Sequence, residues 1–318
     1  MSNPTPESSS NGSAPNELLM AHFARAYLAQ QRRETRWRWF WRVVWLLVAA
    51  VVLVSALRDM APAAPTTPHT ALVEVRGAIG PEDEANADRL IGSLRDAFAD
   101  KAARAVVLRI NSPGGSPVQA GLVNDEIRRL KALHKKKVYA VCEEMCASAA
   151  YYIAVAADEI FVDKASVVGS IGVLMNGFGF VGLMDKIGVE RRLLTSGSNK
   201  GMLDPFSPRD AEQESLAQAM IEQIHEQFVA VVRQGRGKRL KESEDTFSGL
   251  FWNGQQAVQL GLADRLGSLD QVAREVVKVE DIVDYTQKDH LVDRLAKRFG
   301  AAIGAGAVDA LRVGAVWR

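Results

Sequence analysis

Four short segments hold residue types from which chemistry can be built. The first is Asn111-Ser112-Pro113-Gly114-Gly115-Ser116, after a β-branched run and before a helical pattern. Glycines there let main-chain N–H groups approach a ligand with no Cβ in the way. The start of the following helix adds partial positive charge. Such a turn suits a phosphate or a developing oxyanion. It lacks the Lys-Ser/Thr of a phosphate loop and the spacing of a dinucleotide fingerprint, and it serves equally as an ordinary strand-to-helix connection. The second segment runs from Cys142 through Cys146 and Ser148 to Tyr151-Tyr152. A strand ends there and a helix begins among residues too small to shield it. Ser148 in the first turn reads either as an accessible hydroxyl or as a plain N-cap. The third is Gly169-Ser170-Ile171-Gly172-Val173, and the fourth is Thr195-Ser196-Gly197-Ser198-Asn199-Lys200-Gly201, which sets one lysine among small polar residues.

The elements that must position these segments are legible as alternating patterns. ALVEVRGAI (71–79) reads as a strand, followed by a helix over about 81–100 with Leu90, Ile91, Leu94 and Phe98 on one face. AVVLRI (105–110) is a buried strand that ends in the first glycine turn, and a helix spans 118–133. KKKVYAVC (135–142) is a strand, a small-residue helix starts near Ala147, and EIFVDK (159–164) is a strand again. This alternation predicts a mainly parallel α/β core.

Composition removes several classes of function. Thirty-nine Lys+Arg against 38 Asp+Glu leave a net charge of +1, which gives no push toward nucleic acid. Two cysteines build neither a disulfide framework nor a four-cysteine zinc site, and the five histidines show no metal-protease spacing. A bridge between Cys142 and Cys146, four residues apart at a strand end, is geometrically doubtful, so packing is the expected role of both.

The strongest asymmetry lies at the N-terminus. Residues 1–38 read as a cytoplasmic tail, its first fifteen residues polar and Pro/Ser-rich. Arg32, Arg33, Arg36, Arg38 and Arg42 crowd together with Trp37, Trp39 and Trp41, and an uncharged apolar run follows to Leu57. The pattern predicts a single membrane span over 39–58, with tryptophans at the interface and Arg42 reaching back to the headgroups. Arginines before the span place the N-terminus in the cytoplasm and the rest outside. Residues 59–70 form a Pro/Ala/Thr linker, 71–285 the main domain and 286–318 a helical or frayed extension.

Order and spacing bring the four segments together. Ser170 lies 22 residues and Lys200 52 residues after Ser148, with the glycine turn upstream. Downstream comes Gly249-Leu-Phe-Trp252-Asn-Gly254, continuing through Gly261-Leu262-Ala-Asp264 to Gly267. This set closely resembles the bacterial signal peptide peptidase A (protease IV) family of membrane-anchored serine peptidases, over about residues 72–280.

The resemblance implies the Clp-protease/crotonase fold and a serine endopeptidase that needs no cofactor or metal. It implies Ser148 as nucleophile, Lys200 as general base and Ser170 as a residue that orients the lysine. Gly114 and Gly115 would bear the oxyanion-hole N–H groups. A serine hydroxyl needs a base to take its proton, and a lysine can do so only when neutral, which apolar surroundings favour. Asp204 is therefore expected to point away from Lys200. Cys146 is the rival nucleophile, but the matching motifs contain no histidine, and His134 lies in a solvated basic run. Val168, Ile171, Val173 and Leu174 are expected to line the substrate groove, by proximity alone.

The expected substrates are signal-peptide remnants or other hydrophobic peptides, cut at the outer face of the bacterial inner membrane. Short members of the family form rings, so the resemblance implies a homo-oligomer, an octamer, with shared active sites. Ser148 and Lys200 of one chain should then lie too far apart to hydrogen-bond. Alternatives are an endopeptidase of the same fold specific for a membrane protein, and a catalytically silent peptide-binding scaffold.

Overall fold

The computed structural model describes residues 36–53 and 66–287. The chain divides into two compact units, Met1–Ala64 and Pro65–Arg318. In the first, residues 36–53 form one helix, α1. Trp37 stacks on Phe40 with ring centroids 5.6 Å apart, Trp41 meets Trp37 edge-on, and the Arg42 guanidinium lies over the Trp39 ring. Among the described residues no helix is long and apolar enough to cross a membrane. Arg36, Arg38 and Arg42 lower the hydropathy of α1, and positions 54–58 of the expected span lie outside the described residues. So do most of the expected tail and linker, and residues 288–318 of the expected extension.

The second unit is an α/β domain around one sheet. Its elements are β1 (His69–Arg76), α2 (Ala87–Ala99), β2 (Ala103–Ser112), α3 (Pro117–His134), β3 (Lys137–Ala147), α4 (Ala149–Ala154), β4 (Glu159–Val162) and β5 (Val167–Gly169). Then follow α5 (Val181–Ile187), α6 (Ala211–Arg236), β6 (Phe251–Asn253), α7 (Gly254–Gln259), β7 (Arg265–Leu266), α8 (Leu269–Gln271) and β8 (Ile282–Asp284). The main path of the sheet runs β6-β5-β3-β2-β1-β8, and β4 pairs with β3 and β7. Every pairing is parallel except β5 with β6.

Alternate residues of β2 and β3 face opposite sides, as the pleat requires. Val106, Leu108, Ile110, Val138, Ala140 and Cys142 enter the main core with Leu94, Phe98 and Ile127 from α2 and α3. Val107 and Val141 face the other way, onto Phe161 and Val272. Both faces are covered, which is why these strands read as continuous apolar runs.

Three of the boundaries that differ from the sequence reading bear on the site. Helix α2 starts at Ala87 rather than near Pro81, because the Asn86 side chain accepts the Arg89 N–H and caps it. Helix α3 begins with Pro117 behind the Ser116 cap and ends on Lys135 in the left-handed conformation. Strand β3 continues five residues beyond Cys142. Its first half pairs with β4, while Met145–Ala147 pairs with β5. The β2–β3 register slips between Ile110 and Ser112, and beyond the slip the end of β3 keeps Cys146 opposite Ser112 while it takes β5 as its other neighbour in place of β4.

Candidate active site

Ser148 is the single residue between β3 and α4, with φ 54° and ψ −125°. A side chain there is strained, typically by about 1–3 kcal/mol, and the surroundings must hold it. The Ser148 N–H donates to the Gly169 carbonyl at 2.8 Å, and its carbonyl accepts the Tyr152 N–H at 3.0 Å. Its hydroxyl does not cap α4, so the plain N-cap role does not apply. Directly behind it lies Gly114, where a Cβ would stand 2.7 Å from the Ser148 Cβ and 2.8 Å from the Ala147 carbonyl oxygen. Only glycine permits that approach.

The glycine turn is fixed by a short bridge to Ile79. The Ile79 N–H donates to the Gly114 carbonyl at 2.9 Å, and the Ser116 N–H donates to the Ile79 carbonyl at 2.7 Å. The Gly114 N–H donates to Ser112 Oγ at 3.1 Å and is thus engaged. The Gly115 N–H has no partner among the described residues, and neither has that of Ala149 in the first turn of α4. Both residues line the cleft that holds Ser148. Two free N–H donors beside a free hydroxyl are what a tetrahedral oxyanion needs.

Ser170 occupies a second strained position, with φ 52°. Its N–H donates to the Leu250 carbonyl at 2.7 Å, while the Trp252 ring covers Gly169. The downstream motif thus buttresses the loop that carries Ser170. Ser148 and Ser170 line one cleft of about 820 Å³, together with Gly115, Tyr152, Val173, Leu174 and Phe228.

Lys200 is not brought to this cleft. It lies in an exposed turn, and its ammonium has no hydrogen-bond or ion-pair partner among the described residues. Asp204 does point elsewhere: it accepts from Ser207 Oγ at 2.7 Å and pairs with Arg191 at 3.2 Å. The Ser207 hydrogen bond foremost, with Arg191, holds its carboxyl below the usual range.

Two expected groove residues are corrected. Val168 and Ile171 are fully buried in the main core, because strand pairing and the turn after it direct them inward; Val173 and Leu174 do line the cleft. Cys142 and Cys146 are free and buried. Burial, reinforced by Cys142, pushes the Cys146 thiol well above its ordinary value, which disqualifies it as a nucleophile. His134 is exposed at the end of α3, its ring 5.7 Å from Phe98. Among the described residues no group of three or more His, Cys, Asp or Glu could hold a metal ion.

The sequence reading missed α6, which supplies Ile224, Gln227 and Phe228 to the far wall of the cleft. Its signal was present. Ala217, Ile221, Ile224, Phe228 and Val232 recur at helical spacing behind the Asp210 cap.

Comparison with known proteins shows which family the chain resembles. The profile of Peptidase family S49 matches residues 131–283. A protein of Synechocystis bearing a protease name is 32% identical over 203 residues, 64% of this chain and 71% of its own length. A protein of Enterococcus faecium named as a signal peptide peptidase is 29% identical over 204 residues, 64% of this chain and 59% of that one. A Brucella melitensis protein named as the sodium/proton antiporter NhaA is 51% identical over 178 residues, 56% of this chain but 24% of its own length. The chain therefore spans about a quarter of that relative.

Proposed function

The chain belongs to peptidase family S49, the family of signal peptide peptidase A and protease 4, and from that premise we propose that it is a membrane-anchored serine endopeptidase with Ser148 as nucleophile and Lys200 as base. One observation carries the reading. An uncapped serine is held at positive φ beside the unpaired N–H groups of Gly115 and Ala149. Neutral Lys200 takes the Ser148 proton as Oγ bonds to the substrate carbonyl carbon. The resulting oxyanion accepts from the two N–H groups. The lysine then returns the proton to the leaving amine as the C–N bond breaks, and water releases the acyl group by the same relay. The free Ser170 hydroxyl in the same cleft is suited to orient the incoming ammonium.

Neither a lysine nor a histidine lines the cleft. Lys200 therefore reaches Ser148 from a neighbouring subunit, in a homo-oligomer that is octameric by resemblance. The segment around α5 supports assembly, since Leu174, Phe178 and Leu194 are 79%, 81% and 97% exposed. The arginine–tryptophan collar and the apolar run after it support an inner-membrane anchor with the domain on the outer face. The cleft walls, with Val118, Leu122, Val173 and Leu174, suit hydrophobic peptides such as signal-peptide remnants.

The test is hydrolysis of apolar fluorogenic peptides by the full chain in detergent. Ser148→Ala and Lys200→Ala should each cost at least about 10³-fold in kcat. Mixing the two inactive variants before assembly should restore turnover, because a hybrid interface joins an intact serine to an intact lysine. Activity that survives Ser148→Ala would remove the nucleophile assignment. Two inactive variants that fail to complement would remove the shared site. Peptide binding by the wild type without turnover would favour the silent scaffold.

A further inference from the structure

The cleft is apolar along most of its length and carries one charged side chain. Pro117, Val118, Gly121, Leu122 and Asp125 of α3 all line it. These are positions i, i+1, i+4, i+5 and i+8, a single helix face. Asp125 is exposed, and its carboxylate has no hydrogen-bond or ion-pair partner among the described residues. Its basic neighbour Arg128 donates through Nε to Asn124 Oδ1 at 2.7 Å and does not pair with Asp125, while its Nη2 is buried without a hydrogen-bond partner. Asn124 in turn donates to the Tyr152 carbonyl at 2.6 Å, which ties α3 to the helix that follows Ser148.

The walls leading to the carboxylate are aromatic. Tyr152 lies one helical turn beyond Ser148, and its ring packs against Phe228 of α6 with centroids 5.1 Å apart. Tyr152 and Asp125 line the same cleft, and burial first, then the negative charge of Asp125, push the Tyr152 phenol above its ordinary value against the opposing charge of Arg128. Gly121 lines the cleft, and a Cβ there would project into open space with nothing within 4 Å. An aliphatic stem between aromatic faces with a cationic tip at an unpaired carboxylate is the environment that a lysine or arginine side chain satisfies and a neutral one does not.

We infer that this end of the cleft is a specificity subsite in which Asp125, with Tyr152 and Phe228, takes a lysine or arginine side chain of the peptide substrate. The inference rests on the peptidase reading, whose substrates it narrows to apolar peptides that carry a basic residue near the scissile bond.

The experiment uses the full chain in nonionic detergent. Peptides identical except for lysine, norleucine or glutamate at each position around the scissile bond are compared as substrates. At one position the wild type should prefer lysine over norleucine by about tenfold in kcat/KM. Asp125→Asn should erase that preference, and Asp125→Lys should invert it toward glutamate. A merely structural role would lower all three peptides together and would overturn the inference. So would a lysine preference that survives both substitutions.

Binding separates this result from failure of the peptidase reading. Fluorescence anisotropy of the same peptides on the Ser148→Ala protein needs no turnover. Tighter binding of the lysine peptide, weakened by salt and lost in Ser148→Ala/Asp125→Asn, supports the subsite even if the wild type cleaves nothing. Equal binding of lysine and norleucine peptides overturns it.

Discussion

At Ser148 function and stability pull in opposite directions. Its φ of 54° suits glycine, and no side-chain hydrogen bond of the hydroxyl offsets the strain. Ser148→Gly should therefore raise the melting temperature while abolishing hydrolysis, a gain of about 1 kcal/mol. A melting temperature equal to or below that of the wild type would show that the position is relaxed. Gly114 behaves oppositely. A Cβ there would crowd the Ser148 Cβ and two backbone atoms of the elbow within 2.7–2.9 Å. Gly114→Ala should cost roughly 1–3 kcal/mol of stability. It should also depress kcat more than KM, because it displaces the nucleophile rather than the substrate walls; steady-state kinetics would check this.

The elements around the site depend on a few buried polar ties. Arg236, at the end of α6, is 1% exposed. It donates through Nη1 and Nη2 to both oxygens of Asp264, at 2.8 and 2.9 Å, and through Nε to the Gly261 carbonyl. Asp264 also accepts the Ile160 N–H at 2.7 Å, so one pair fixes α6 and the segment after α7 against β4. Arg239 also reaches Asp264 at 3.1 Å, so that carboxylate keeps one partner when Arg236 is removed, and Arg236→Ala should cost about 1–3 kcal/mol. Urea unfolding would measure it, and a loss under about 1 kcal/mol would mean that water replaces the guanidinium. Because α6 carries Ile224 and Phe228, the same variant should raise KM for apolar peptides.

At the scale of the molecule, acid is the condition to which this ion-pair set responds. The Glu126 carboxyl is held down at about 2, first by its hydrogen bond from Arg129 and then by Arg95. Burial alone would raise the Asp264 carboxyl, but the Arg236 hydrogen bonds more than offset it, and it too lies below its usual range. Both groups stay ionised in the fold at pH values where the unfolded chain has taken up protons. Their stabilisation is thus complete above about pH 4.5 and is lost as pH falls toward 2. Melting temperatures measured from pH 6 to 2.5 should fall across that window. Glu126→Gln should flatten the fall, whereas an unchanged profile would place the acid sensitivity elsewhere.

The alternation of apolar runs and helical periods determined the parallel α/β core by itself, because burial on both faces of a sheet leaves its mark on the central residues of β1, β2 and β3. The glycine turn, Ser148 and Ser170 were legible for a related reason: small residues at strand ends signal backbones that must approach closely. Tertiary structure alone decided which of these residues share a cleft. Val168 and Ile171 are as apolar as Val173 and Leu174, yet the pairing of β5 and the turn after Gly169 send the first two into the core and the others to the opening. The far wall from α6 and the meeting of Asp125 and Tyr152 in one cleft likewise depend on contacts between residues distant in sequence. No local period encodes such contacts, because each helix shows only its apolar stripe and not the partner that the stripe will meet.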